Sequence, residues 1–346
     1  MPKTILYTHV GLSTFVVKDL EILSSEYKLR IHHFSLKSKF TLPLSFIKQF
    51  FYLLLNAFSN QIWVIQFAGY QSFLPVLLGR VFQKKTVLVL GGTDCVSFPS
   101  IRYGCFYNPI LRHFTRYSIK HASLLLPVDD TLVSYNYTYQ ENDFPKQGFS
   151  FHIPNVKTPF QVIYNGYDSS QWKTALKEEN SFVTVAANLN TRFGKELKGI
   201  DLILNAAKLF PNCQFYIVGG RTLSLENSSN IHLLDTIPND QLVSFIGSKQ
   251  FYLQLSMSEG FPNALSEAML CECIPIVSNV GAMPKIIGDT GYLLTKKNIT
   301  ELQRLIQQAI DEPEKSEKGK QARKQIKTNF SIQRRKSEFL AAMDKL

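Results

Sequence analysis

The chain has 346 residues, 45% of them hydrophobic, with 38 Lys and Arg against 27 Asp and Glu and a formal charge of +11. That length can bury two cores of ordinary domain size, and the surplus of charge is uneven: residues 1–168 hold 16 basic against 9 acidic side chains, the remainder 22 against 18. A basic first half suits an anionic partner, but no RNA-binding strand signature, zinc-finger spacing or heptad-linked basic region points to nucleic acid, which is excluded as the expected partner.

In chain order, apolar runs over 4–8, 30–35, 63–67, 86–90 and 124–128 read as strands, with helical patterns over 15–25 and 46–57. Short, strongly apolar strands between helices imply a parallel sheet covered on both faces. The opening residues read as a strand and not a signal peptide, because the apolar run breaks at His9. The stretches 42–58 and 62–78 fall short of the ~20 clean residues a membrane span needs, being interrupted by Lys48 and Asn56, and by Gln66, Gln71 and Pro75. They are expected to be core helices and strands. The weaker alternative is that the Phe/Leu face of 46–58, with Lys37, Lys39 and Lys48, touches a bilayer surface. Residues 140–157 lack periodicity and read as loop. A second alternating set begins with a strand over 182–187, a helix over 201–210 and a strand over 214–218.

The five cysteines, Cys95, Cys105, Cys213, Cys271 and Cys273, are scattered and odd in number, which fits buried thiols in a reducing compartment. None of the seven histidines shows metal-ligand or triad spacing, and no metal site is expected.

The segment Glu259-Gly-Phe-Pro-Asn-Ala-Leu-Ser-Glu267 carries the most information. A Gly-Phe-Pro-Asn turn separates two carboxylates, and an Ala/Leu/Met-rich helix follows, with Asn263 expected as its N-cap. The unpaired N–H groups of a helix start suit a phosphate, and carboxylates suit sugar hydroxyls. One segment thus offers what a nucleotide-sugar needs. A strand precedes it over 251–258, and a second, Ile274-Pro-Ile-Val-Ser-Asn-Val-Gly281, follows.

This run resembles the donor-binding half of retaining glycosyltransferases of the GT-B fold, family 4 (glycosyltransferase group 1), whose signature is a Glu, seven residues and a second Glu, then a strand with an early Pro and a Gly-containing turn. The resemblance covers 160–340 well and 1–160 in outline. It implies an α/β protein with two Rossmann-like domains whose parallel sheets face across a cleft: an acceptor-binding domain over 1–169, a donor-binding domain over 170–328, and a final helix, 329–346, packing back toward the first. Val162-Ile-Tyr-Asn-Gly-Tyr-Asp168 resembles the strand that ends the first domain.

Carried onto matching positions, the resemblance makes Glu259 the sugar-side carboxylate and Glu267 the ribose acceptor. Gly260, Phe261, Pro262 and Asn263 then line the sugar, and the N–H groups near Leu265 and Ser266 face the phosphates. The family neutralises the departing diphosphate with an Arg and with a Lys preceding Gly. Lys198-Gly199 matches the second, but Asn188 stands where the Arg is usual, and Arg192 is the candidate replacement. Gly219 resembles the turn beside the nucleotide, and Gly11 occupies the place of the first-strand glycine loop. Asp94, in Gly91-Gly-Thr-Asp94, is offered as the acceptor-side catalytic residue; the alternative is a turn plus helix cap. Arg112 and Arg116 could present positive charge to a phosphorylated acceptor, a merely solvated basic helix being the alternative.

The expected activity is transfer of a hexose, with retention, from a UDP- or GDP-sugar to a hydroxyl of a glycan or polyprenyl-diphosphate-linked acceptor in cell-surface polysaccharide biosynthesis. No cofactor or metal is expected, since the Asp-x-Asp pair of metal-dependent transferases is absent from the sequence. The expected location is the cytoplasm, with loose association to the inner membrane face. Rival readings are a nucleotide-sugar epimerase or phosphorylase of the same fold, and a non-catalytic nucleotide-sugar-binding partner. A nicotinamide-dependent enzyme would need Gly-x-Gly-x-x-Gly after the first strand, which 9–14 lacks.

Overall fold

The structure, a computed structural model, describes residues 4–36, 38, 40–59, 61–187, 189–191, 193–221, 223 and 229–346. The chain divides into two compact units. The first runs to Asn136 and takes in Lys146–Asn165 and Gln333–Leu346, and the second comprises Tyr137–Pro145 and Gly166–Ile332. Two of these four changes of unit, after Asn165 and after Ile332, lie four residues from the boundaries expected on sequence. Tyr137–Pro145 joins the second unit because Tyr139 is buried there: its hydroxyl donates to the Leu255 carbonyl at 3.4 Å and its own carbonyl accepts from the Lys297 N–H at 2.9 Å.

The first unit alternates β1 (Thr4–His9), α1 (Thr14–Ser24), β2 (Lys28–His33), α2 (Leu42–Asn56), β3 (Ile62–Gln66), α3 (Tyr70–Val81), β4 (Lys85–Leu90), α4 (Pro109–His121) and β5 (Leu124–Pro127). Its 5-stranded sheet has the order β2-β1-β3-β4-β5, parallel throughout. Strand β3 is buried at every position and β4 at all but the first, so apolar residues run on without alternating, as in a sheet covered on both faces. A small antiparallel pair joins β6 (Tyr135–Asn136) with β7 (Lys146–Gln147), and β7 and the short α5 (Phe149–His152) lie in the stretch read as loop. Residues 159–163 form no named strand, but their backbone bonds alongside β5: the Gln161 and Ile163 N–H groups donate to the Leu125 and Pro127 carbonyls, each at 3.0 Å.

The second unit contains β8 (Glu178–Val185), α6 (Gly194–Leu197), α7 (Ile200–Leu209), β9 (Gln214–Val218), β10 (Ile231–Leu234), α8 (Asn239–Gly247), β11 (Lys249–Gln254), α9 (Asn263–Leu270), β12 (Ile274–Ser278), α10 (Met283–Ile287), β13 (Tyr292–Leu294), α11 (Ile299–Ile310) and α12 (Lys315–Asn329). The 6-stranded parallel sheet has the order β10-β9-β8-β11-β12-β13. In both sheets the direction of winding reverses once, between β1 and β3 and between β8 and β11, and such reversals open a crevice at the carboxyl ends of the strands.

The last helix, α13 (Ile332–Asp344), is fixed to α1 by a buried ion pair. Arg335 Nε and Nη2 donate to Asp19 Oδ1 and Oδ2 at 2.8 and 2.9 Å, and Nη1 donates to the Ile163 and Tyr164 carbonyls at 3.1 and 3.0 Å. One guanidinium thereby ties the final helix, α1 and the chain leaving β5, in the bidentate geometry suited to Arg. One sequence expectation needs correcting. The apolar stretch over 46–57 forms α2, but of its apolar residues Leu53 is buried, beside the inward Ser45, Gln49 and Asn56, while Ile47, Phe51 and Leu55 are exposed.

Candidate functional site

The carboxyl end of β11 delivers the chain to Glu259 at the reversal point of the second sheet. Glu259 Oε1 accepts three hydrogen bonds: from Lys198 Nζ at 2.6 Å, Ser256 Oγ at 2.8 Å and Gln254 Nε2 at 3.1 Å. Among the described residues Oε2 takes none. Gln254 is oriented in turn by Tyr252, whose hydroxyl donates to Gln254 Oε1 at 3.1 Å. Burial pushes the Tyr252 phenol well up, helped by the nearby Glu259 and Glu267 carboxylates, which keeps that proton in place. Ser278, at the end of β12, donates to the Ser256 carbonyl at 2.6 Å. Glu259 is thus held by a chain of polar groups rooted in two buried strands.

Lys198 reaches this carboxylate because of Gly199, between α6 and α7. Its φ is +66°, and a Cβ there would stand 2.1 Å from the Leu255 carbonyl oxygen, so only glycine lets this turn close on the end of β11. The Met257 N–H donates to the Leu197 carbonyl at 2.8 Å and fastens the two loops together. Lys198 and Glu259 keep 25% and 13% side-chain exposure, enough to meet a ligand. Gly281 plays the same part on the other side: a Cβ there would lie 2.0 Å from the Glu259 carbonyl oxygen.

Helix α9 starts from this loop. Its N-cap is Pro262, with no side-chain cap, and the expected cap Asn263 is the first helical residue. Asn263 Oδ1 instead accepts from the Tyr167 hydroxyl at 2.7 Å. Phe261, expected to line the sugar, is buried with its ring stacked 6.3 Å from that of Tyr167 and edge-on to Phe330 at 5.2 Å. These two side chains therefore position the loop, leaving backbone as the surface that Gly260–Asn263 can offer. Leu265, Ser266 and Glu267 lie in the first turns of α9, all buried. Ser266 Oγ finds no hydrogen-bond partner among the described residues, beside first-turn N–H groups that lack intrahelical partners. Gly219, at the end of β9, has a φ of +85°, and a Cβ would meet the Ala186 carbonyl oxygen at 2.2 Å, so this turn packs against the end of β8. Asn188 and Arg192 lie outside the described residues.

In the first unit, a cavity of about 500 Å³ opens at the carboxyl ends of β1, β3 and β4, lined among others by Val10, Phe67, Gly69, Tyr70, Gly91 and Asp94. The Asp94 carboxylate is engaged by the backbone around it. It is 1% exposed and accepts from the N–H groups of Gly92 at 2.9 Å and of Ala68 and Gly91, each at 3.1 Å. Burial pushes its carboxyl pKa up, against the pull of those bonds. Asp94 acts as a cap that shapes the loops around the cavity it helps to line, which favours the turn-and-cap alternative for this residue. Gly11 is exposed, and a Cβ there would meet nothing, so no close approach within the chain demands glycine. Arg112 and Arg116 lie exposed one turn apart on α4, and Arg112 Nε is engaged with the Phe106 carbonyl at 2.9 Å.

Sequence reasoning missed Tyr252, Gln254, Ser256 and Ser278. The available signal was a row of polar residues closing two otherwise apolar strands. All five cysteines are free and buried, and among the described residues no group of three or more His, Cys, Asp or Glu could hold a metal ion.

Residues 168–326 match the family model for glycosyl transferases group 1. The chain is 25% identical over 273 residues to N-acetyl-alpha-D-glucosaminyl L-malate synthase of Bacillus anthracis, which covers 74% of this chain and 66% of that protein. It spans between 36% and 66% of the length of three curated relatives it matches. Among solved structures, sucrose-phosphate synthase from Thermosynechococcus elongatus superposes with a TM-score of 0.80 at 13% identity, over 99% of this chain and 98% of that one. Anabaena HepE in complex with UDP and glucose superposes with a TM-score of 0.73 at 13% identity, over the whole of both chains. These likenesses show the fold, GT-B with two Rossmann-like domains.

Proposed function

Because residues 168–326 match the family model for glycosyl transferases group 1, we propose that this protein is a retaining glycosyltransferase. In this reading it moves a hexose from a nucleotide diphosphate sugar to a hydroxyl of a glycan or lipid-linked acceptor, in polysaccharide biosynthesis. The observation that carries the reading is the Lys198–Glu259 pair, set 2.6 Å apart at the reversal point of the second sheet, beside the start of α9. A departing nucleoside diphosphate gathers negative charge, and a fixed cation with oriented N–H groups stabilises it where water is excluded. Lys198 supplies the cation and the α9 start the N–H groups, with Ser266 Oγ as a further donor. Glu259, through Oε2, accepts from a hydroxyl of the sugar. Glu267 accepts from the ribose, and Gly219 admits the nucleotide to the strand ends. Lys198 and the helix start take the part that a metal ion plays elsewhere.

Uridine is the base proposed first, on the support of HepE, solved with UDP and glucose. The cavity of the first unit, with Arg112 and Arg116 on α4, is the proposed acceptor side. No helix among the described residues is long and apolar enough to cross a membrane; the proposed setting is the cytoplasm, at the inner membrane face.

The test is to incubate the purified chain with UDP-glucose, UDP-N-acetylglucosamine or GDP-mannose, with and without short glycan or lipid-linked acceptors, and follow nucleoside diphosphate release. The proposal expects acceptor-dependent release with one donor, an α-linked product from the α-configured donor, and loss of release in Lys198→Ala. A β-linked product would overturn retention, and donor binding without release under any condition would favour a binding partner over an enzyme.

A further inference from the structure

Helix α2 mixes apolar and polar groups on its protein-facing side. Leu53 is fully buried there and the Phe46 ring meets Phe34, Tyr70 and Phe114, while beside them Ser45 Oγ donates to the Ser35 carbonyl at 2.9 Å, Gln49 Nε2 to the Gln71 carbonyl at 2.8 Å, and Asn56 accepts from Arg30. Its outer side carries Leu44, Ile47, Phe51 and Leu55, continued by Phe58, and these are 51–84% exposed. At 100° per residue, positions 44, 47, 51 and 55 fall on one stripe, with Lys48 at its margin. A helix on a protein surface ordinarily keeps its outer side polar, and a contiguous exposed apolar patch marks an interaction surface.

Charge selects the occupant. Between Glu26 and Asp94 the chain has no acidic residue, while it has eight basic ones: Lys28, Arg30, Lys37, Lys39, Lys48, Arg80, Lys84 and Lys85. Several stand at the ends of the apolar stripe. Arg30 bonds Asn56 at the last turn of α2. Phe58 meets the ring of Phe82, next to Lys84, which bonds Gln61 at 3.4 Å. An apolar stripe flanked along the chain by cations and no carboxylate fits the headgroup region of an anionic bilayer, where the stripe enters the acyl boundary and the cations meet lipid phosphates.

We propose that α2 and Phe58 form an in-plane docking face for an anionic lipid surface. Ser45, at the start of α2, bonds the Ser35 carbonyl, and the next residue, Leu36, lines the cavity of the first unit, so docking would bring that cavity toward the bilayer. The inference stands on α2 alone, independently of which sugar is transferred.

The test is co-sedimentation of the full chain with vesicles of phosphatidylcholine, alone or with about 30 mol% phosphatidylglycerol. The result expected is binding at least tenfold stronger to the anionic vesicles and weakened severalfold by roughly 0.5 M salt. Binding should fall at least tenfold in the triple variant Phe51→Ser, Leu55→Ser, Phe58→Ser, whose melting temperature and circular dichroism match the parent because the residues are exposed. Lys48→Glu should lose binding to the anionic vesicles only. Failure of the parent chain to bind either vesicle would overturn the proposal. So would a dimer in sedimentation equilibrium that the triple variant converts to monomer, since a second copy would then be the occupant.

Discussion

Replacing Arg335 by Met gives the sharpest test of how the chain's end is fastened. Asp19 is 0% and Arg335 5% exposed at the side chain, and the guanidinium is the carboxylate's bidentate partner as well as the donor to two carbonyls. Removing it strands a buried carboxylate, for which the expected cost is about 3–5 kcal/mol. The pH dependence has a definite sign. Burial holds the Asp19 carboxyl up even beside Arg335, and without that cation it rises further, so the folded variant keeps a proton over a pH range where the parent has lost it. Its deficit against the parent is therefore smallest in acid and grows as pH rises through that range. Urea unfolding followed by fluorescence reads the first unit alone if Trp172 is changed to Phe, because Trp63 then remains as its reporter. The double variant Asp19→Leu, Arg335→Met should recover most of the loss, since a buried pair replaced by apolar groups of similar size is often neutral. A loss under about 1 kcal/mol in Arg335→Met, with no pH dependence, would refute the reasoning.

Gly199→Ala forces φ +66° on a residue with a Cβ aimed at the Leu255 carbonyl; beyond about 1–3 kcal/mol of strain, it should cut turnover by displacing Lys198, and unchanged turnover would separate Gly199 from the site. Asp94→Asn places an amide against three backbone N–H donors and should cost about 1–3 kcal/mol in thermal or urea unfolding, while leaving the pH profile of turnover in place; a shifted profile would restore Asp94 to the chemistry. Burial, with Arg112 nearby, holds His152 down to about 4, from an ordinary 6.5. The unfolded chain therefore binds a proton there that the folded chain refuses, and stability falls as pH drops through that window. His152→Phe, which keeps the ring stacked on Phe106, should show a smaller fall in melting temperature between pH 7 and 5, and an equal fall would place the sensitivity elsewhere.

Buried parallel strands announce themselves as unbroken apolar runs, and for that reason β4 and β9 were legible to within a residue. The edge strand β10 was missed: Ile231–Leu234 is half-buried throughout and carries His232. The nature of α9 was also legible, but its cap was not. Asn263 is a good capping residue by type, and its amide was claimed by Tyr167, 96 positions away, a competition that local propensity cannot see. Lys198 and Glu259 are 61 residues apart, so their pairing follows from sheet order and not from spacing. The stretch over 46–57 shows the limit most clearly. Periodicity identifies a helix there, but it does not say which side turns inward, and a side carrying Ser45, Gln49 and Asn56 with Leu53 did.

The account rests on α9, Glu267 and Lys198 forming a nucleotide-sugar donor site, and the most direct measurement is thermal unfolding with UDP, GDP or ADP present, repeated on Glu267→Ala and Lys198→Ala. A ligand that binds only the folded state raises the melting temperature by mass action. The account predicts a rise with UDP well above that with GDP or ADP, lost in Glu267→Ala and reduced in Lys198→Ala. A rise that persists undiminished in both variants, or no rise with any of the three nucleotides, would contradict it.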